Sequence, residues 1–220
     1  SFDNPFEINK LNILSTISAL EIAYKNNAKF LFLSSYIYGE PQYNPIDEKH
    51  PIKPNNPYMI SKWLSEQTCI NLSQFLKVPC FIFRLFNVYG PGIKKGRLIS
   101  DLIQNANESE ELKLNDRFPV RDYLYVDDFV KILEMTLVDN SFVADVYNVG
   151  SGFSYSNLEV AELVQSMCKK NLKINYLSKP RKNDIQTCLV NNEKIKKKLN
   201  WEPDYDLNDG LKNIFNSKIF

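Results

Sequence analysis

From residue 7 the apolar positions fall at helical spacing: Ile8, Leu11, Leu14, Ile17, Leu20, Ile22 and Ala23. Positions three and four apart share a helix face, so the run predicts a helix over 7–26, ended by Asn26-Asn27. The pattern then changes. Residues 28–35, Ala-Lys-Phe-Leu-Phe-Leu-Ser-Ser, are a short, nearly continuous apolar run, as in a buried strand of a parallel sheet. Gly39 and Pro41 break it, and a loop rich in Pro and Tyr fills 36–56. Pro54 and Pro57 stand just ahead of a second helix, expected over 58–76. A second apolar run from Pro79 to Phe86 reads as the next strand. Strand, loop, helix, strand is the order of a parallel α/β sheet.

Past residue 90 the elements shorten and no repeat is visible. Helices are expected over 96–106 and 126–138, the latter opening on Asp127-Asp128, which suits the positive end of a helix dipole. Residues 145–149 read as a strand. A helix over 156–170 starts at Ser156 with Glu159 three positions on, a capping box. Residues 172–177 alternate as a strand, and 191–199 and 207–216 read as short helices.

Composition narrows the class. The chain has 220 residues, 44% hydrophobic and 24% charged, which fits an ordinary globular protein with one large or two small domains. Net charge is +1, so no field favours nucleic acid or a membrane surface. The run Lys194-Ile195-Lys196-Lys197-Lys198 reads as the solvated face of a helix. The four cysteines, Cys69, Cys80, Cys168 and Cys188, lack paired spacing, so no zinc or redox motif is drawn from them; reduced thiols of a cytoplasmic protein are expected. The single histidine, His50, leaves little material for a metal site or a serine–histidine nucleophile. No apolar stretch approaches the length of a membrane-spanning helix.

The chemistry centres on Tyr58 and Lys62, four residues apart on the second helix and therefore on one face, a turn apart. An ammonium near a phenol favours the phenolate. Such a tyrosine can exchange a proton with an alcohol near neutral pH. Ser34-Ser35 end the preceding strand, where a serine hydroxyl could hold the same oxygen. Open α/β sheets bind ligands at that carboxyl edge.

Further segments carry a resemblance. They are Leu33-Ser34-Ser35-Tyr36-Ile37-Tyr38-Gly39, Asn56-Pro57-Tyr58-Met59-Ile60-Ser61-Lys62, Arg84-Leu85-Phe86-Asn87-Val88-Tyr89-Gly90-Pro91-Gly92 and Arg121-Asp122-Tyr123-Leu124-Tyr125-Val126-Asp127-Asp128. Tyr147-Asn148-Val149-Gly150-Ser151-Gly152, Arg181-Lys182-Asn183-Asp184 and Leu199-Asn200-Trp201-Glu202-Pro203 follow. In order and spacing the chain resembles the extended short-chain dehydrogenase/reductases, in their NAD-dependent nucleotide-sugar epimerase/dehydratase group. The resemblance implies an α/β fold: a partial Rossmann-like parallel sheet over 1–90 and a smaller α+β nucleotide-sugar-binding domain over 91–220. In such folds the chain crosses between domains more than once. The glycine-rich turn that opens these enzymes is absent, since the first glycine is Gly39. Residue 1 is therefore expected to fall midway through the nucleotide-binding half. A fragment, a truncated gene product or a partner chain supplying the rest would each account for it.

The resemblance also implies roles. Ser34, Tyr58 and Lys62 are the catalytic set, with Ser35 as the alternative serine. Asn9, Ser34, Tyr58, Lys62 and Leu85 are the NAD or NADP contacts, Lys62 through the nicotinamide ribose. Asn87, Arg97, Arg121, Tyr123 and Arg181 are the contacts to a nucleotide-diphosphate sugar; arginine suits the diphosphate because its planar fork offers several fixed donors. Tyr36 is a further candidate for the sugar pocket. Asp127 and Asp128 are left to helix capping. No metal, nucleic acid or membrane partner is implied. A homodimer through helices 7–26 and 58–76 is, with Ile60, Trp63 and Leu64 between subunits.

Members of the group share hydride transfer at a sugar carbon, usually C4. The dehydratases and decarboxylases place an acidic residue two positions after the strand-end serine or threonine, and here that position is Tyr36. The reductases that also invert two ring carbons place a cysteine there and use a histidine; no histidine follows Asn87. What remains is a 4-epimerase or a 4-keto-reductase. The alternatives are a non-catalytic remnant of such an enzyme or a 4,6-dehydratase.

Overall fold

The structure is a computed structural model that describes residues 4–168, 170–179 and 185–217. In chain order it contains α1 (Pro5–Lys25), β1 (Phe30–Ser35), α2 (Pro57–Leu76), β2 (Cys80–Leu85), β3 (Asn87–Tyr89) and α3 (Leu98–Glu108). Then follow β4 (Glu111–Leu114), β5 (Val120–Tyr125), α4 (Val126–Val138), β6 (Val146–Val149) and β7 (Ser154–Ser156). The remainder is α5 (Asn157–Met167), β8 (Lys173–Tyr176), β9 (Thr187–Cys188), α6 (Glu193–Leu199) and α7 (Leu207–Ser217).

The chain divides into two units. The first comprises residues 1–86, 132–149 and 191–201; the second comprises 87–131, 150–190 and 202–220. A single cut near residue 90 does not separate them. Residues 132–149 return to the first unit because β6 pairs in parallel with β2, Ile82 opposite Val146 and Leu85 opposite Val149. Residues 191–201 return because Asn191 N–H donates to the Ile46 carbonyl and Lys194 binds the Val146 carbonyl.

The first unit is built on the parallel sheet β1-β2-β6. All but the last residue of β2 is buried, as the unbroken apolar run Cys80–Phe83 requires for a central strand covered on both faces. Phe81 stacks on Phe142 at 5.2 Å between ring centroids, and Phe142 lies 4.8 Å from Tyr147. Each such ring removed from water stabilises the unit by roughly 2–3 kcal/mol. Two helices pack together against this sheet. Asn56 caps α2, its side-chain oxygen accepting from Met59 N–H at 2.9 Å, and Pro57 opens the first turn. Lys77 ends the helix in the left-handed region at φ 58°. In the loop after β1, Gly39 at φ 73° lies so close to the Lys53 carbonyl that a Cβ would stand 2.0 Å from its oxygen.

The second unit centres on β5, which pairs in parallel with β3 and β9 and antiparallel with β7. A separate parallel pair joins β4 to β8. Its core draws Ile99, Leu102 and Ile103 from α3, Val160 and Val164 from α5, and Leu211 and Ile214 from α7. The Ser156–Glu159 capping box forms as expected, Ser156 N–H meeting Glu159 Oε2 at 2.6 Å. Every helix read from periodicity is present within a few residues. Strands β3, β4, β5, β7 and β9 were not foreseen. At two to six residues they are too short to mark a period, and β5 buries four successive positions.

Candidate active site

In the first unit, α2 presents Tyr58, Lys62 and Glu66 at successive turns. Tyr58 is 41% exposed, so its phenol is open to a ligand. Lys62 lies 4.6 Å over the Phe32 ring and has no ion-pair partner among the described residues. Burial pushes its ammonium below the ordinary lysine range, and the thiol of Cys69 and the carboxylate of Glu66 oppose that shift. It borders a groove of about 350 Å³ with Asn12, Ser15 and Thr16 of α1 and Phe30–Leu33 of β1.

The structure gives Ser34 a different partner from the one expected. Its hydroxyl is buried and donates to Glu66 Oε2 at 2.8 Å, not to Tyr58. The reason is electrostatic: a fully buried carboxylate takes every donor within reach. Arg84 Nε lies 3.1 Å from Glu66 Oε1, and its Nη2 pairs with the same oxygen at 2.5 Å. Arg84 Nη1 also donates to the Tyr38 hydroxyl at 2.9 Å, and Tyr38 to Asn148 Oδ1 at 2.5 Å. The lone pairs of Ser34 remain, but its proton is committed. Ser35, the last residue of β1, is only partly buried. Leu85 sits level with it at the carboxyl end of β2, paired with Ser35 and Val149.

Asn9 does not reach this constellation through its amide group, which donates to the Pro5 carbonyl at 2.7 Å within α1. Its Oδ1 is buried without a partner. One turn on, Asn12 reaches the helix that carries Tyr58: its Nδ2 donates to Ser61 Oγ at 2.7 Å, and Ser61 donates to the Tyr58 carbonyl at 2.8 Å. Asn12 thereby ties α1 to the helical turn between Tyr58 and Lys62. Its place four residues before Thr16 on the face that buries Thr16 and Leu20 was the available signal.

In the second unit, Asn87 Nδ2 donates to the Asp122 carbonyl at 2.9 Å. Arg121 Nη1 holds the Val120 carbonyl at 2.9 Å, and the side chain is partly buried. Arg97 is exposed at the start of α3. Tyr123 belongs to the core: it is 7% exposed and meets Tyr89 edge to face at 6.2 Å, because β5 buries its last four residues. Tyr36, in the first unit, is partly buried and donates to the Gly39 carbonyl at 2.6 Å. Arg181 lies outside the described residues. Asp128 does more than cap, since it accepts Asp204 N–H at 2.7 Å.

Asp122 is a residue the sequence reading passed over. It is fully buried and accepts Ser151 N–H and Gly152 N–H, both at 2.7 Å, with Ser151 Oγ at 3.2 Å. Gly150 must lack a side chain here, since a Cβ would stand 2.6 Å from Asp122 Oδ1. Burial pushes the carboxyl up to about 7, against the lowering effect of these donors. The sign follows. Between the unfolded value near 3.8 and about 7, the folded chain binds the extra proton, so stability falls as pH rises through that window and is flat above it. Urea melts from pH 8 to pH 5 are expected to show a gain of about 2 kcal/mol toward pH 5. Asp122→Asn should remove it, and equal slopes in both proteins would place the titration elsewhere.

A sheet whose carboxyl end meets a Tyr-x-x-x-Lys helix defines a protein of the short-chain dehydrogenase/reductase class, and comparison with known proteins narrows the class. The family model described as GDP-mannose 4,6 dehydratase matches residues 1–214. A putative UDP-glucose 4-epimerase of Methanocaldococcus jannaschii is 30% identical over 98% of this chain and 72% of its own length. The structure superposes at a TM-score of 0.84 on a dTDP-glucose 4,6-dehydratase from Bacillus anthracis in complex with NAD, 28% identical, covering 96% of this chain and 69% of that one. It superposes at 0.85 on a UDP-glucuronic acid 4-epimerase from Bacillus cereus in complex with UDP-glucuronic acid and NAD, 25% identical, covering 93% and 66%. The chain spans about half the length of the UDP-glucuronic acid decarboxylases it also matches. It belongs to the NAD-dependent nucleotide-sugar epimerase/dehydratase family, as the order of its motifs implied.

Proposed function

We propose that the protein is an NAD- or NADP-dependent enzyme that transfers hydride at C4 of a nucleotide-diphosphate sugar, as a 4-epimerase or a 4-keto-reductase. The observation that carries this is the exposed Tyr58 phenol one turn from a desolvated ammonium without an ion-pair partner among the described residues, on a helix held by Asn12. The dinucleotide, when bound, accepts or returns hydride. The residues present fit it in part: Lys62 and Asn12 border a groove beside β1, and an unpaired ammonium there suits ribose hydroxyls. Tyr58 takes the proton of the sugar hydroxyl as the carbonyl forms and returns it on reduction. Ser34, its proton held by Glu66, offers lone pairs alone, and Ser35 is the serine with a proton to give. Arg97 and Arg121 of the second unit, with Arg181, supply positive charge suited to a diphosphate, and Asn87 a polar contact to the sugar nucleotide.

Dehydration is the weaker reading, because Tyr36 stands where the dehydratases place an acid and its hydroxyl donates to the Gly39 carbonyl. A homodimer through α1 and α2 is supported by the apolar face they expose: Leu11 is 59% exposed, Leu14 52% and Ile60 38%. We place the protein in the cytoplasm because the spacing of its four cysteines is not that of a disulfide framework. Among the described residues no helix is long and apolar enough to cross a membrane.

The test is a panel of UDP-, dTDP- and GDP-hexoses with NAD or NADPH, followed by proton NMR in deuterated solvent. Inversion or reduction at C4 without loss of water is the expected result. Loss of the C5 proton with formation of a 6-deoxy-4-keto sugar would replace this reading with dehydration, and no change on any of them would end the enzyme assignment.

A further inference from the structure

Folding brings near each other two cysteines whose spacing along the chain is no reason to pair them. Cys69 is fully buried on the sheet side of α2, and Cys80, the first residue of β2, is 7% exposed. They share one packed cluster with Phe32 and Ile82, on adjoining elements of the first unit. Nothing in the candidate chemistry uses either of them.

The two are not equivalent. Cys80 lines an open cleft of about 560 Å³ whose wall includes Gln74, Lys77, Pro79 and Val146, whereas Cys69 lies behind it. The neighbouring thiol of Cys69 holds the Cys80 thiol below its ordinary value, while Cys80 and burial push that of Cys69 well above. A thiol that ionises readily at a cleft, backed by a second thiol in the same packed cluster, is the arrangement of an attacking and a resolving cysteine. Cys168 offers the contrast: it is more exposed, but burial raises its thiol and its Sγ donates to the Val164 carbonyl at 3.2 Å.

We propose that Cys69 and Cys80 form a redox-modification site that takes a peroxide as its oxidant and closes to a disulfide tying α2 to β2. The Cys80 thiolate attacks one peroxide oxygen. The O–O bond breaks, the distal oxygen leaves with a proton as water or alcohol, and Cys80 becomes a sulfenic acid. Cys69 then attacks that sulfur, the S–S bond forms, the S–O bond breaks, and hydroxide leaves with the Cys69 proton as water. Two thiols lose two electrons in all, and the peroxide gains them.

The test uses the chain as it stands, treated with hydrogen peroxide, then denatured and titrated for thiols. Free thiols should fall from the four of the sequence to about two, with return to four on adding dithiothreitol. Trypsin separates the two cysteines at Lys77, so peptides 63–77 and 78–84 should appear linked. Cys69→Ser should stop at the sulfenic acid on Cys80, captured by dimedone; the wild-type peptide map decides the matter if that variant does not fold. Persistence of four thiols, a link through Cys168 or Cys188, or conversion of Cys80 to a sulfinic acid without a link would overturn the proposal.

Discussion

Tyr58→Phe is expected to lower turnover by about a thousandfold or more while leaving sugar-nucleotide affinity within about threefold, in the protein that carries these residues. The substitution removes one oxygen from a side chain 41% exposed, so no buried partner is stranded and the fold should not respond. The lost group is the one proposed to move the proton, and positioned proton transfer contributes about a hundred- to ten-thousandfold. Lys62→Met should act on the same step and also weaken cofactor binding, because the Lys62 ammonium borders the groove. Burial makes that ammonium lose its proton at lower pH than an ordinary lysine, so turnover should fall on the alkaline side and the fall should vanish in Lys62→Met. The measurement is kcat and KM against pH for the three proteins, with affinity by calorimetry. A Tyr58→Phe protein that keeps its kcat would remove Tyr58 from the chemistry.

Arg84→Met is expected to cost about 3–5 kcal/mol of stability, the largest effect of any single substitution proposed for this chain. Glu66 has no exposed surface, and Arg84 supplies its charge partner through Nε and Nη2. Without the guanidinium, the carboxylate keeps only the Ser34 hydroxyl at 2.8 Å among the described residues. An unpaired buried charge is far more costly than the pair was worth. In a chain of this length the loss corresponds to a melting temperature lower by roughly 10 °C or more. Adding Glu66→Leu should recover a large part of it, since the double variant buries neither charge. Calorimetric melts of the two single variants and the double variant give the coupling energy. Additive losses would show that each residue acts alone.

Much of the candidate site was legible because its pattern is local. Tyr58 and Lys62 share a helix face by spacing alone, and Pro57 and Asn56 fix where that helix starts. The same spacing puts Glu66 on that face, yet nothing local distinguishes a buried glutamate from a solvated one, so it was passed over. Its partner Arg84 comes from the neighbouring strand, and the register of Ser34 opposite Arg84 brings the three together. Asn9 and Asn12 show the limit in miniature. Both are helix asparagines, and only the packing of α1 on α2 tells which one meets Ser61.

By itself the sequence determined the helices, the two long strands of the parallel sheet, the shared helix face of Tyr58 and Lys62, and the family, since each rests on residues close along the chain. The tertiary structure alone decided where the chain re-enters the first unit, which partner takes the Ser34 proton, that Tyr123 is core, that Asp122 anchors the 150–152 turn, and that Cys69 and Cys80 share one cluster. These depend on strand register and on burial, which join residues far apart in sequence and give charge and thiol chemistry a strength that water would otherwise screen.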